Sequence, residues 1–198
     1  MNKGSIHFYF EFASSYSYLA VMRIQALAKT KNISVLWKPF LLGPLFKDQG
    51  WQDSPFNLYP AKGKYMWRDM ERLCQKYDLA FKKPKTFPRN GLLAARIAHW
   101  SENQTWNPDF VKLVFQANFA QDQNIADPQL LSQILKSLGQ DPKTILEKAY
   151  NPKNKESLQK RTAEAKELGI FGAPSFIVDQ ELFWGHDRME EAFELAIK

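Results

Sequence analysis

Phe8-Tyr9-Phe10-Glu11-Phe12-Ala13-Ser14-Ser15-Tyr16-Ser17-Tyr18-Leu19-Ala20 changes its periodicity in the middle. Over Ile6 to Phe12 the side chains alternate enough to predict a strand, with Phe8, Phe10 and Phe12 on one face. The small residues Ala13-Ser14-Ser15 interrupt it. From Tyr16 to Lys31 the apolar positions Leu19, Met22, Ile24, Leu27 and Ala28 fall at helical spacing. Ser14 therefore stands at the start of a helix. Ile33 to Phe40, reading I-S-V-L-W-K-P-F, predicts a second strand parallel to the first, and the three elements make a βαβ unit.

Outward from that unit, Gly43 to Pro60 is dense in Gly, Pro, Asp, Asn and Ser and predicts an irregular loop of the kind that carries ligand contacts. Helical periodicity then recurs at 64–77, 91–101, 107–119, 128–138, 142–149 and 154–168, with nothing strand-like between Gly63 and Gly169. Lys83-Pro84, Phe87-Pro88, Asn107-Pro108 and Asp127-Pro128 punctuate this block, with Asn107 and Asp127 placed to cap helices. After Gly172, Ser175 to Val178 and Glu181 to Trp184 predict a hairpin turning at Asp179-Gln180. A last helix follows, with Asp187 as N-cap, Glu190 three residues later, and an apolar stripe of Met189, Phe193 and Ile197. The order βαβ, helices, ββα is that of an α/β, thioredoxin-like fold with an inserted all-helical domain. Residues 1–62 and 169–198 are assigned to the thioredoxin-like domain and 63–168 to the insertion.

At 198 residues, with 44% hydrophobic and 24% charged residues, the chain has the composition of a folded globular protein and not of a disordered one. Its net charge of +6 favours anionic partners. The lysines are scattered, however, and the clusters at Lys82 to Lys85 and Lys153 to Lys160 are interrupted by proline or acidic residues, which argues against nucleic acid. Small carboxylate-bearing molecules suit this charge better. Met1 to Ser5 leads into alternating residues without an apolar leader core, and no run approaches the roughly 18 apolar residues that span a bilayer. Neither secretion nor membrane insertion is expected, and the expected location is the cytoplasm. Cys74, the single cysteine, excludes an internal disulfide and a cysteine-rich metal site. It lies on the apolar side of a helix and reads as a core residue. His7 and His99 stand alone, and no metal site is expected.

In a thioredoxin-type fold, chemistry sits where the first strand meets the first helix, because unpaired N–H groups and the helix dipole stabilise an anion there. Here both positions of the usual C-x-x-C pair are serines, Ser14 and Ser17. A disulfide cycle is thereby ruled out. A serine hydroxyl can instead donate a hydrogen bond to a thiolate supplied by another molecule, while the helix end lowers that thiol's pKa from about 8.5 towards neutrality. On position alone, the plainer reading of Ser14 is a helix N-cap.

The string from Phe10 to Ala20 resembles the F-D-F-x-S-P-[FY]-S-Y-L-A opening of the 2-hydroxychromene-2-carboxylate isomerases and kappa-class glutathione transferases, whose fold is DsbA-like. It departs at Ser15, where proline is usual, and at Glu11, where aspartate is usual. Phe171-Gly172-Ala173-Pro174-Ser175-Phe176 resembles the family's F-G-x-P segment, and Phe183-Trp184-Gly185-His186-Asp187-Arg188-Met189 its W-W-G-N-D-R-L or F-G-S-D-R-M. Lys47-Asp48-x-Gly50 and Pro60-Ala61-Lys62-Gly63 are similar to kappa-class loops.

The resemblance covers the chain in order and implies that glutathione is the cofactor. Ser14 would contact its sulfur, and the backbone of Ala173, before a cis-Pro174, would pair with its cysteinyl unit. Asp187 and His186 would face the γ-glutamyl group, with His186, in place of Asn or Ser, making binding sensitive to pH near 6.5. Lys62 and Asn57 would face the glycine carboxylate. Lys38 is assigned to the carboxylate of the substrate, and Trp37, Trp51 and Trp67 to the wall of an aromatic pocket. The implied activity is glutathione-dependent cis–trans isomerisation of 2-hydroxychromene-2-carboxylate, with a kappa-like transferase or peroxidase, or a binding protein without turnover, as alternatives. The implied partners are glutathione, a small aromatic carboxylate or electrophile, and a second copy of the chain.

Overall fold

The structure, a computed structural model, describes residues 4–197; Met1 to Lys3, where the reading of the N-terminus begins, and Lys198 lie outside it. Strand β1 (Ser5–Phe10) pairs in parallel with β2 (Ser34–Pro39) and antiparallel with β3 (Ser175–Val178), which pairs antiparallel with β4 (Glu181–Trp184). The sheet order β2-β1-β3-β4 puts β1 inside. Helix α1 (Ser15–Lys31) makes the crossover from β1 to β2.

A central strand is buried on both faces, and the sequence of β1 answers that demand with aromatic residues on both. Phe8 and Phe10 pack against Trp37, and Phe12 against Phe115, with ring centroids 5.1–5.8 Å apart. Tyr9 faces the other way and meets Phe40 in a second apolar cluster with Leu45, Ala165, Ile170 and Ile177. Each ring removed from water in this way contributes roughly 1.5–3 kcal/mol.

Gly43 to Pro60 is more regular than its composition predicts. It holds α2 (Leu42–Asp48) and α3 (Pro55–Leu58), and α4 (Pro60–Lys76) starts four residues ahead of the predicted position 64. The prolines account for the difference. Pro44 lies in the first turn of α2, and Pro55 and Pro60 open their helices, positions where a missing N–H costs nothing. Helices α5 (Leu92–Trp100), α6 (Asn107–Phe119), α7 (Pro128–Ser137), α8 (Pro142–Tyr150) and α9 (Pro152–Glu167) follow within a residue or two of expectation. Asp127 caps α7 through the N–H of Gln129, as expected, whereas Asn107 lies inside α6, buried, and accepts from Ser101. A 3₁₀ turn (His186–Arg188) precedes α10 (Met189–Ile197), so Asp187 sits within that turn and not at the cap of α10. No helix among the described residues is long and apolar enough to cross a membrane.

The helical block is tied to the turn after β1 by polar contacts. Asn118 on α6 donates from Nδ2 to the Phe12 carbonyl at 3.0 Å, while Arg89 donates to the carbonyl and Oδ1 of Asn118 and pairs with Asp122. Asn118→Ala leaves a buried carbonyl without its donor. The expected loss is about 1–3 kcal/mol of unfolding free energy, read from urea denaturation.

Candidate active site at the start of the first helix

β1 ends at Phe10 and the chain turns through Glu11-Phe12-Ala13, with the Ser14 N–H donating to the Glu11 carbonyl at 3.0 Å. Ser14 has extended backbone angles and caps α1, its Oγ accepting from the Ser17 N–H at 3.1 Å. The same hydroxyl donates to the Ala173 carbonyl at 2.8 Å, across 159 residues of sequence. Ala173 precedes a cis-Pro174, and Pro174 is buried at the head of β3. Capping and contact with Ala173 thus coexist on one oxygen. Ser14 and Ala173 are both partly exposed, as a ligand site requires.

Two neighbours escaped the sequence reading. Glu11 receives the Ala13 N–H on Oε2 at 2.9 Å, and burial pushes its carboxyl up to about 7, far above the usual carboxylate range. A carboxylate breaking a strand of aromatics, three residues from Ser14, was the available signal. Tyr16 is the second. Its ring stacks on His186 at 5.5 Å and touches Phe56, and its hydroxyl donates to Asp69 at 3.0 Å. One side chain on the first turn of α1 thereby meets α3, α4 and the 3₁₀ turn, which joins the segments carrying Asn57 and Lys62 to the segment carrying His186 and Asp187.

Those four residues differ in their freedom. Asp187 is exposed and its carboxylate lies 3.8 Å from Arg188. Lys62 is exposed, with Nζ above the Tyr59 ring at 4.7 Å. Asn57 commits Nδ2 to Asp53 and to the Phe87 carbonyl, both at 3.0 Å. His186 is buried under Tyr16, and desolvation lowers its pKa from the ordinary 6.5 despite the opposing pull of Asp187. Charging of His186 therefore belongs below pH 6.5.

Lys38 is not brought into this group. Strand alternation sends Trp37 to the Phe8 face and Lys38 to the other, where Nζ lies 3.5 Å from Glu102, itself paired with Arg161 at 3.0 Å. The three tryptophans lie in different settings, Trp51 and Trp67 partly exposed. Trp37 is 6% exposed in the core, Trp51 packs on Phe46 and Trp67 on Phe87. Cys74 is buried, and desolvation pushes its thiol up to about 11, so it supplies no thiolate at neutral pH.

The strand order, the serine-capped helix and the cis-proline facing it define a thioredoxin-type architecture. Residues 5–197 match the family described as DSBA-like thioredoxin domain, and the chain belongs to that family. Among curated relatives, the 2-hydroxychromene-2-carboxylate isomerase of Sphingobium xenophagum is 28% identical over 94% of both chains. Glutathione S-transferase kappa 1 of Caenorhabditis elegans is 25% identical over 92% of this chain and 86% of its own. A solved 2-hydroxychromene-2-carboxylate isomerase superposes with a TM-score of 0.85 at 24% identity, covering 94% of this chain and 91% of that one. These relatives are enzymes, of isomerase and glutathione transferase type.

Proposed function

We propose that this chain is a glutathione-dependent cis–trans isomerase of the 2-hydroxychromene-2-carboxylate isomerase type. The observation that carries the reading is the Ser14 hydroxyl, held at the amino end of α1 and hydrogen-bonded to Ala173. Glutathione, when bound, supplies a thiolate able to add to a conjugated double bond, permit rotation and leave again. The chain's own groups fit that tripeptide. Ala173 offers main-chain pairing to the cysteinyl unit, Asp187 a carboxylate to the γ-glutamyl ammonium, and Lys62 an ammonium to the glycine carboxylate. His186 packs beneath that γ-glutamyl position. Asn57 completes the glycine end once its amide is released from Asp53, and Lys38 is the candidate for the substrate's carboxylate once released from Glu102.

Ser14 has a specific task in this reading. When a peptide N–H takes the Ala173 carbonyl, the Ser14 proton is freed to turn towards sulfur, while the Ser17 N–H keeps Oγ in place. The switch replaces one hydrogen bond by another at nearly constant number. The helix end and the turned hydroxyl then both favour the ionised sulfur.

Calorimetric titration with glutathione, followed by turnover assays with 2-hydroxychromene-2-carboxylate and with chloro-dinitrobenzene, tests the assignment. Isomerisation without net loss of glutathione is the expected result. Consumption of glutathione with the electrophile alone selects the kappa-like transferase that the 25% identical relative suggests. Absence of glutathione binding removes both.

A further inference from the structure

Resting on the reading of Ser14 as the glutathione site, we propose that Phe171 and Trp184 form a stacking platform for the planar, conjugated group of the acceptor substrate. The two side chains are 48% and 51% exposed, and their rings touch at 4.9 Å with a 52° tilt. Elsewhere the aromatic residues of the sheet are turned inward, and leaving two large rings half in water forgoes apolar burial. Their position gives the exposure a use. Trp184 closes β4 in register with Ser175, and the next residue, Gly185, donates its N–H to the Pro174 carbonyl at 3.0 Å. The indole lies against Gly172, so that a Cβ there would stand 2.3 Å from Nε1. Glycine at 172 is what admits the ring to this place.

The next residue is Ala173, whose carbonyl accepts from Ser14. Gly172, which the indole covers, thus immediately precedes the residue whose carbonyl holds the Ser14 proton. Glutathione is saturated apart from its amides and carboxylates and gains little from an aromatic face. A group attached to or approaching its sulfur gains if it is flat and conjugated. The platform therefore selects the acceptor and not the cofactor.

The test compares calorimetric affinities for S-dinitrophenylglutathione and S-methylglutathione, which share the tripeptide and differ in the flat group. Wild-type protein is expected to prefer the dinitrophenyl conjugate, and Trp184→Ala to reduce that preference about tenfold. Phe171→Ala, outside the strands, and Gly172→Ala, which displaces the indole without removing it, are expected to reduce it in the same direction. They serve if Trp184→Ala fails to fold. A preference kept in all three variants overturns the platform while leaving the glutathione site standing. So does a loss of self-association in Trp184→Ala with the preference unmoved, since the pair then covers a second copy of the chain. Wild-type protein that binds neither conjugate overturns the platform together with the reading it rests on.

Discussion

Ser14→Ala is expected to lower turnover about 10²-fold, a loss of about 2.7 kcal/mol in transition-state stabilisation, and to raise the pKa of the bound thiol. The side chain has two partners, so the variant also costs about 1 kcal/mol of helix capping. Ser14→Asp separates the roles. Aspartate keeps the cap to the Ser17 N–H but has no proton for the Ala173 carbonyl, and its carboxylate repels a thiolate, so activity should stay lost while the capping part of the stability recovers. Thiolate absorbance of bound glutathione, followed against pH, reads the effect directly. A pH–rate profile identical to wild type in Ser14→Ala would remove Ser14 from the mechanism and leave it as a cap.

The second large effect concerns Glu11. Its carboxyl titrates at about 7 in the folded protein against an ordinary value of 4.5. The folded state thus binds a proton that the unfolded chain has already released. The stability contribution is fully present below pH 4.5, declines as pH rises, and is gone above about pH 7. Integrated over that window, the Glu11 contribution falls by on the order of 3 kcal/mol, while the buried His99 and His186, whose pKa values are lowered, contribute in the opposite sense. Glu11→Gln keeps an acceptor for the Ala13 N–H and cannot ionise. The difference in unfolding free energy between the variant and the wild type should grow across the window, with the variant the more stable at about pH 8. Urea denaturation at several pH values checks this, and parallel curves for the two proteins would show that Glu11 is ionised and paired in the fold.

Much of the architecture was legible because periodicity records burial. Phe8, Phe10 and Phe12 declared a strand, the spacing from Leu19 to Ala28 a helix, and β3 and β4 fall at the residues predicted for the hairpin. The stretch from Gly43 to Pro60 was less legible, because proline and glycine mark both irregular loops and the first turns of short helices. The site divides along the same line. Ser14 could be placed at a helix start from one local string, and its cap to Ser17 follows from that. The raised pKa of Glu11 could not be read, since desolvation depends on what surrounds a group and not on its neighbours in the chain. Lys38, an inviting free cation in sequence, owes its pairing with Glu102 to helices that pack against β2.

The resemblance of its motifs pointed to the family, and local order along the chain was enough to determine the strands, most of the helices and the serine at the start of α1. These depend on interactions between residues a few positions apart. Tertiary structure alone decided that the Ser14 proton rests on Ala173, that Tyr16 joins α3 and α4 to the 3₁₀ turn, and that Phe171 and Trp184 stack while half exposed. Each of those facts joins residues distant in sequence, which share a position only after the sheet has closed.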